Sequence, residues 1–67
     1  MGKNEAMKRA RKAKGLSQDA LATAVGVSRQ TINAIEKGDY NPTIRLCINI
    51  CRVLGLTLND LFWEEET

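Results

Sequence analysis

Apolar residues recur along the chain at spacings of three and four, in short runs that glycines punctuate. The runs are Met7 and Ala10; Leu16, Leu21, Ala22 and Val25; Val27, Ile32 and Ile35; Ile44, Cys47, Ile50, Cys51 and Leu54; and Leu58, Leu61 and Phe62. That period belongs to helices packed against one another by a single face. Gly15, Gly26, Gly38 and Gly55 stand just past four of these runs, where a left-handed residue ends a helix. Ser17, Ser28, Thr43 and Thr57 stand where a side-chain oxygen can accept from first-turn amides. Asp60 follows Thr57 by three and makes an approximate capping box, whereas Ser17 has Ala20 at that place and lacks the reciprocal half. The pattern predicts helices over 5–14, 18–25, 29–37, 44–54 and 58–62, one all-α domain of five helices spanning 1–67. Strand is expected only at the ends, where Phe62-Trp63-Glu64 and the first few residues would form a short two-stranded β-ribbon.

A chain of 67 residues hides only about 60% of its unfolded surface, and the core predicted here contains a single Phe. Ile48, Leu56 and Trp63 are apolar groups left outside that core. They point to a contact with a second subunit near the C-terminal end, about residues 55–65. Arg45, Asn49 and Arg52 interrupt the longest apolar stretches, so no membrane span or signal peptide is expected and the protein is read as soluble and cytoplasmic. The net charge of +2 conceals an asymmetry. Lys3, Lys8, Arg9, Arg11, Lys12 and Lys14 face only Glu5 in the first 14 residues, while Glu64, Glu65 and Glu66 close the chain. A basic run alone fits a solvated helix face as well as an anionic partner.

The cysteines add no chemistry. Cys47 and Cys51 are four apart on the fourth helix, but no His and no second Cys pair complete a metal site, so they are read as buried reduced thiols. No metal or cofactor is expected. No nucleophile is paired with a base, and no glycine-rich phosphate loop or acidic pair is in place, so nothing supports an enzyme.

Residues 17–36 have the physical layout of a helix-turn-helix. Ala22 is small where two helices must touch, Gly26 makes the turn, and Val27 and Ile32 fill the corner. The second helix then exposes Arg29, Gln30 and Asn33, with Thr31 beside them. Such side chains pair with base edges: Arg with guanine, Gln or Asn with adenine, Thr with the thymine methyl.

The segments Leu16-Ser17-Gln18-x-x-Leu21-Ala22, Val27-Ser28-Arg29-Gln30-Thr31-Ile32 and Ile35-Glu36-Lys37-Gly38-x-Tyr40-Asn41-Pro42-Thr43 resemble the Cro/CI-type (XRE-like) helix-turn-helix transcription regulators of bacteria and phages, in particular their short cytolysin-repressor-like branch. The resemblance covers roughly residues 5–63 and implies a lambda-repressor-like domain with the motif at about 17–37. It implies that Arg29, Gln30, Asn33 and Thr31 reach bases. It further implies that Gln18 braces the sugar-phosphate backbone and steadies a base-reading neighbour, and that Ser28, Lys37, Tyr40 and Asn41 run along the phosphates. For Tyr40, packing on the fourth helix is an equal alternative. Arg11 and Glu36 match an internal salt bridge of the family. Two departures are Ala10, where the family carries a larger aliphatic residue, and the less apolar Gly2, Lys3 and Asn4.

The expectation is therefore a homodimeric, sequence-specific regulator of double-stranded DNA, a repressor on a palindromic operator, joined through Leu56, Leu58, Leu61 and Trp63. With no appended effector domain, no small-molecule effector is expected. Two rivals stand beside it: an antitoxin-like or protein-interaction module built on the same fold, and a purely structural helical bundle. The absence of a toxin-covering segment weighs against the first.

Overall fold

Every helix of the described chain begins at a residue whose side chain accepts a hydrogen bond from the helix's own first turn. The computed structural model describes residues 3–62 and contains α1 (Glu5–Ala13), α2 (Gln18–Val25), α3 (Arg29–Lys37), α4 (Ile44–Leu54) and α5 (Leu58–Leu61). Ser17 accepts from the Ala20 amide, Ser28 from Thr31, Thr43 from Leu46 and Thr57 from Asp60. Each such cap stabilises its helix by about 1 kcal/mol. At α5 the Asp60 carboxylate returns the bond to the Thr57 amide, and this hydrogen bond holds its carboxyl below the ordinary aspartate value.

Met7, Leu21, Ile32 and Ile50 are fully buried, one from each of the first four helices, and form the centre of the core. Burial of a side chain of this size contributes about 1.5–3 kcal/mol. Helix α2 packs on α3 and α4, α1 packs on α3 and α5, and α4 packs on α5. Leu61 of α5 closes the cluster from below.

Asn4, which the helix marks in the sequence did not include, joins three elements. Its side-chain oxygen caps α1 by accepting from Met7 N at 3.0 Å, its side-chain amide donates to the Leu61 carbonyl at 2.7 Å, and its backbone N–H donates to the Glu36 carbonyl at 3.0 Å. The N-terminal segment is thereby tied to the last turn of α3 and to α5. Among the described residues there is no strand. Trp63 and Glu64 of the expected ribbon lie outside them.

One core assignment is corrected. Ile44 is 65% exposed, and Leu46, absent from the predicted core, is buried instead. The buried stripe of α4 is centred on Ile50 and Leu54. At about 100° per residue, Ile44 falls a quarter-turn from that centre, in the first turn of the helix.

Candidate nucleic-acid interface

The α2–α3 corner depends on Gly26, whose φ of 78° lies in the left-handed region. A Cβ there would meet nothing within 4 Å, so the backbone conformation alone calls for glycine. Past it, the Val27 amide returns to the Ala22 carbonyl at 3.0 Å, and Ala22, only 2% exposed, lets the two helices approach closely. Ser28 then caps α3, and its hydroxyl lies 3.0 Å from that of Thr31.

Ile32 and Ile35 fix one side of α3 in the core, which leaves the other side turned outward. Arg29 and Gln30 are exposed at its N-terminal end, Thr31 and Asn33 are half-buried, and Lys37 is exposed at its C-terminal end. Tyr40 and Asn41 follow in the exposed loop before α4. Tyr40 is 44% exposed.

Behind this face runs a polar network. Arg11 and Glu36, both buried, form a two-pronged ion pair: Arg11 Nε donates to Glu36 Oε2 at 2.7 Å and Nη2 to Oε1 at 3.2 Å. The third guanidinium nitrogen donates to the Leu16 carbonyl at 2.7 Å, so the ion pair that the resemblance implied also fastens the α1–α2 connection. Gln18, at the start of α2, donates from Nε2 to Glu36 Oε1 and to Asn33 Oδ1, each at 3.2 Å. Among the described residues, no buried side-chain nitrogen or oxygen lacks a partner. That satisfies the condition under which a buried ionic network rigidifies a fold.

The amide hydrogens of Gln18 are thus used within the protein. The first amides of α2 have no partner within the helix, a feature common to helix N-termini. Nothing in the local sequence connects Lys3 and Lys8 with this face, yet both line an open pocket of about 130 Å³ together with Glu5, Glu36, Lys37, Gln18 and Asn33. The signal was the basic N-terminal run, but its placement depends on the distant Asn4–Glu36 bond.

At the C-terminal end the expected contact residues divide. Leu61 is 5% exposed and belongs to the chain's own core, which removes it from the proposed subunit contact. Its aliphatic side chain is already covered by this chain. Leu58 is half-buried against that core, Leu56 is 37% exposed, and Trp63 lies outside the described residues. Cys47 and Cys51 are buried free thiols, and burial pushes both above their ordinary value, with the Cys47 and Asp60 charges raising Cys51 further. Among the described residues, no group of acidic, Cys or His side chains is placed to hold a metal, and no helix is long and apolar enough to cross a membrane.

A tight helix pair carrying an exposed, hydrogen-bonding face on its second member defines a helix-turn-helix domain. The helix-turn-helix family model matches residues 7–61. The uncharacterized HTH-type transcriptional regulator YgzD of Bacillus subtilis is 50% identical over 52 residues, 78% of this chain and 79% of its own length. An uncharacterized HTH-type regulator of Archaeoglobus fulgidus is 50% identical over 48 residues, 72% of this chain and 69% of its own. Among solved structures, the restriction-modification controller protein C.AhdI from Aeromonas hydrophila superposes with a TM-score of 0.80 at 29% identity, covering 87% of this chain and 88% of that one. The N-terminal DNA-binding domain of SinR from Bacillus subtilis superposes with a TM-score of 0.78 at 31% identity, covering 91% and 90%. The chain belongs to the helix-turn-helix family of DNA-binding transcriptional regulators, of the XRE type.

Proposed function

We propose that the chain is a sequence-specific repressor that binds a two-fold symmetric operator as a homodimer, with α3 of each copy in the major groove. The observation that carries this reading is the outward face of Arg29, Gln30, Thr31 and Asn33 on a helix whose opposite side is fixed in the core by Ile32 and Ile35. Arg29 is suited to guanine, Gln30 to adenine and Thr31 to the thymine methyl. The Gln18 and Asp19 backbone amides at the start of α2, Ser28, Lys37, Tyr40 and Asn41 hold phosphates and set the register, with Lys3 and Lys8 beside them. Two such helices would enter successive major grooves about 34 Å apart. Leu56, Leu58 and Trp63 form the contact between copies in this reading, and exposed Ile48 adds to the apolar surface available. In this reading the protein acts in the cytoplasm.

The test is a salt titration of binding to a selected operator and to random DNA, with Gln30→Ala measured on both. Affinity should fall steeply as salt rises, and the variant should lose roughly 1–3 kcal/mol on the operator and little on random DNA. Equal losses on the two DNAs would remove Gln30 from base reading. Salt-independent binding would remove DNA as the partner and favour a protein-binding module.

A further inference from the structure

The open pocket beside α3 holds more positive charge than its own wall neutralises. Lys3, Lys8 and Lys37 line it with Glu5, Glu36, Gln18 and Asn33. Glu36 is taken by the buried Arg11 guanidinium at 2.7 and 3.2 Å, so Glu5 alone opposes the three lysines. Among the described residues, none of the three is in an ion pair. All three are placed by Asn4. Lys3 precedes it in the chain, the Lys8 N–H donates to its carbonyl at 3.3 Å, and Lys37 follows Glu36, whose carbonyl accepts from the Asn4 N–H at 3.0 Å. Asn4 also fixes where the chain leaves α5, because its side-chain amide donates to the Leu61 carbonyl at 2.7 Å. Glu64, Glu65 and Glu66 follow Leu61 by only a few residues. An extended chain advances about 3.3–3.6 Å per residue, so their reach from that carbonyl is roughly 10–18 Å. The lysine pocket begins within that reach, on the other side of Asn4.

We propose that the segment Glu64-Glu65-Glu66 occupies this lysine pocket in the DNA-free protein and leaves it when DNA arrives, so that the chain carries its own competitor for the phosphate backbone. The inference rests on the reading of the α3 face as the DNA-binding surface, which shares Gln18, Asn33 and Lys37 with the pocket. Charge complementarity selects the occupant, since consecutive carboxylates meet a cluster of ammonium groups that Glu5 only partly offsets. Tethering makes the contact effective. A segment joined by a short link meets its site at an effective concentration in the millimolar range, so exposed ion pairs that are weak one by one still hold it there. A duplex brings many more phosphates than the tail brings carboxylates and displaces it by the same factor whatever its sequence. The tail therefore sets the level of affinity, while α3 sets the choice of bases.

The full chain is compared with a tail variant, Glu64→Gln/Glu65→Gln/Glu66→Gln, a pocket variant, Lys3→Gln/Lys8→Gln, and the two combined, with folding of each verified by circular dichroism. Without DNA and in low salt, the tail substitutions should shift the amide resonances of Lys3, Lys8 and Lys37 and leave that of Arg52, outside the pocket, in place. The shifts should collapse at about 1 M salt, where charges are screened beyond about 3 Å. On random duplex DNA the tail variant should bind about three- to ten-fold more tightly than the unaltered protein. In the pocket background the same tail substitutions should gain less than about two-fold, because the site they vacate no longer holds the tail. General repulsion between tail and DNA would give equal gains in both backgrounds and would overturn the proposal, as would lysine resonances that do not move. If the pocket variant does not fold, Lys3→Gln alone supplies the second background. An unaltered protein that binds no DNA would sink the regulatory reading instead, and the DNA-free resonances would still decide whether the tail lies in the pocket.

Discussion

Replacing Arg11 with methionine keeps an unbranched stem, shorter than that of arginine, and removes the charge. Arg11 and Glu36 have side chains 8% and 4% exposed, so the carboxylate left behind cannot recover water without opening the α1–α3 contact. Of its three close donors, only the neutral Gln18 amide would remain, and the Leu16 carbonyl would lose its partner as well. Stranding one member of a buried ion pair costs about 3–5 kcal/mol. A domain of this length has a total stability of roughly 3–10 kcal/mol. The variant should therefore melt at least 12 °C lower, taking about 4 °C per kcal/mol as the low end for small domains. Thermal and urea unfolding followed by far-ultraviolet circular dichroism measure this directly. The double variant Arg11→Met/Glu36→Met should recover a large part of the loss, because two apolar groups in contact leave no buried charge. A single variant that melts within about 4 °C of the parent would show that water reaches Glu36, and the reasoning from burial would fail.

Two further perturbations probe other parts of the molecule. Gly26→Ala should destabilise by about 1–2 kcal/mol from the left-handed backbone alone, since space is open around the missing Cβ, with Gly26→Asn less affected because asparagine tolerates that conformation. A loss well above that range in chemical denaturation would mean a steric clash that the open space rules out. Leu56→Glu should weaken self-association in sedimentation experiments and lower operator affinity with it, while leaving the monomer folded. A variant that stays as dimeric as the parent would exclude Leu56 from the contact.

Much of the architecture was legible because helix boundaries depend on local chemistry. Ser17, Ser28, Thr43 and Thr57 each bond an amide three residues ahead, so the sequence contains the whole interaction. The same holds for the α2–α3 corner, where Ala22, Gly26 and Val27 lie within six positions. Asn4 escaped for the opposite reason: as a cap it resembles many asparagines in loops, and its distinguishing partners are Glu36 and Leu61. Ile44 and Leu46 were exchanged because two apolar residues at the start of α4 both continue an apolar series, and only the neighbours decide which one faces inward. In the site, the outward residues of α3 followed from the helical period. The contact of Gln18 with Asn33 and the approach of Lys3 and Lys8 did not, because each depends on how separate helices are seated.

The three hydrogen bonds of Asn4 also couple the two ends of the chain. A single residue closes the first turn of α1, engages the last turn of α3 and engages the carbonyl of Leu61, 57 positions away. Fraying at the C-terminus is then transmitted to the start of the molecule, and an end that would otherwise open locally becomes part of the global unfolding unit. Hydrogen exchange at the Met7 amide, which Asn4 protects, should accordingly speed up when α5 is loosened. In so small a domain, cooperativity is obtained by joining chain ends that ordinarily loosen first.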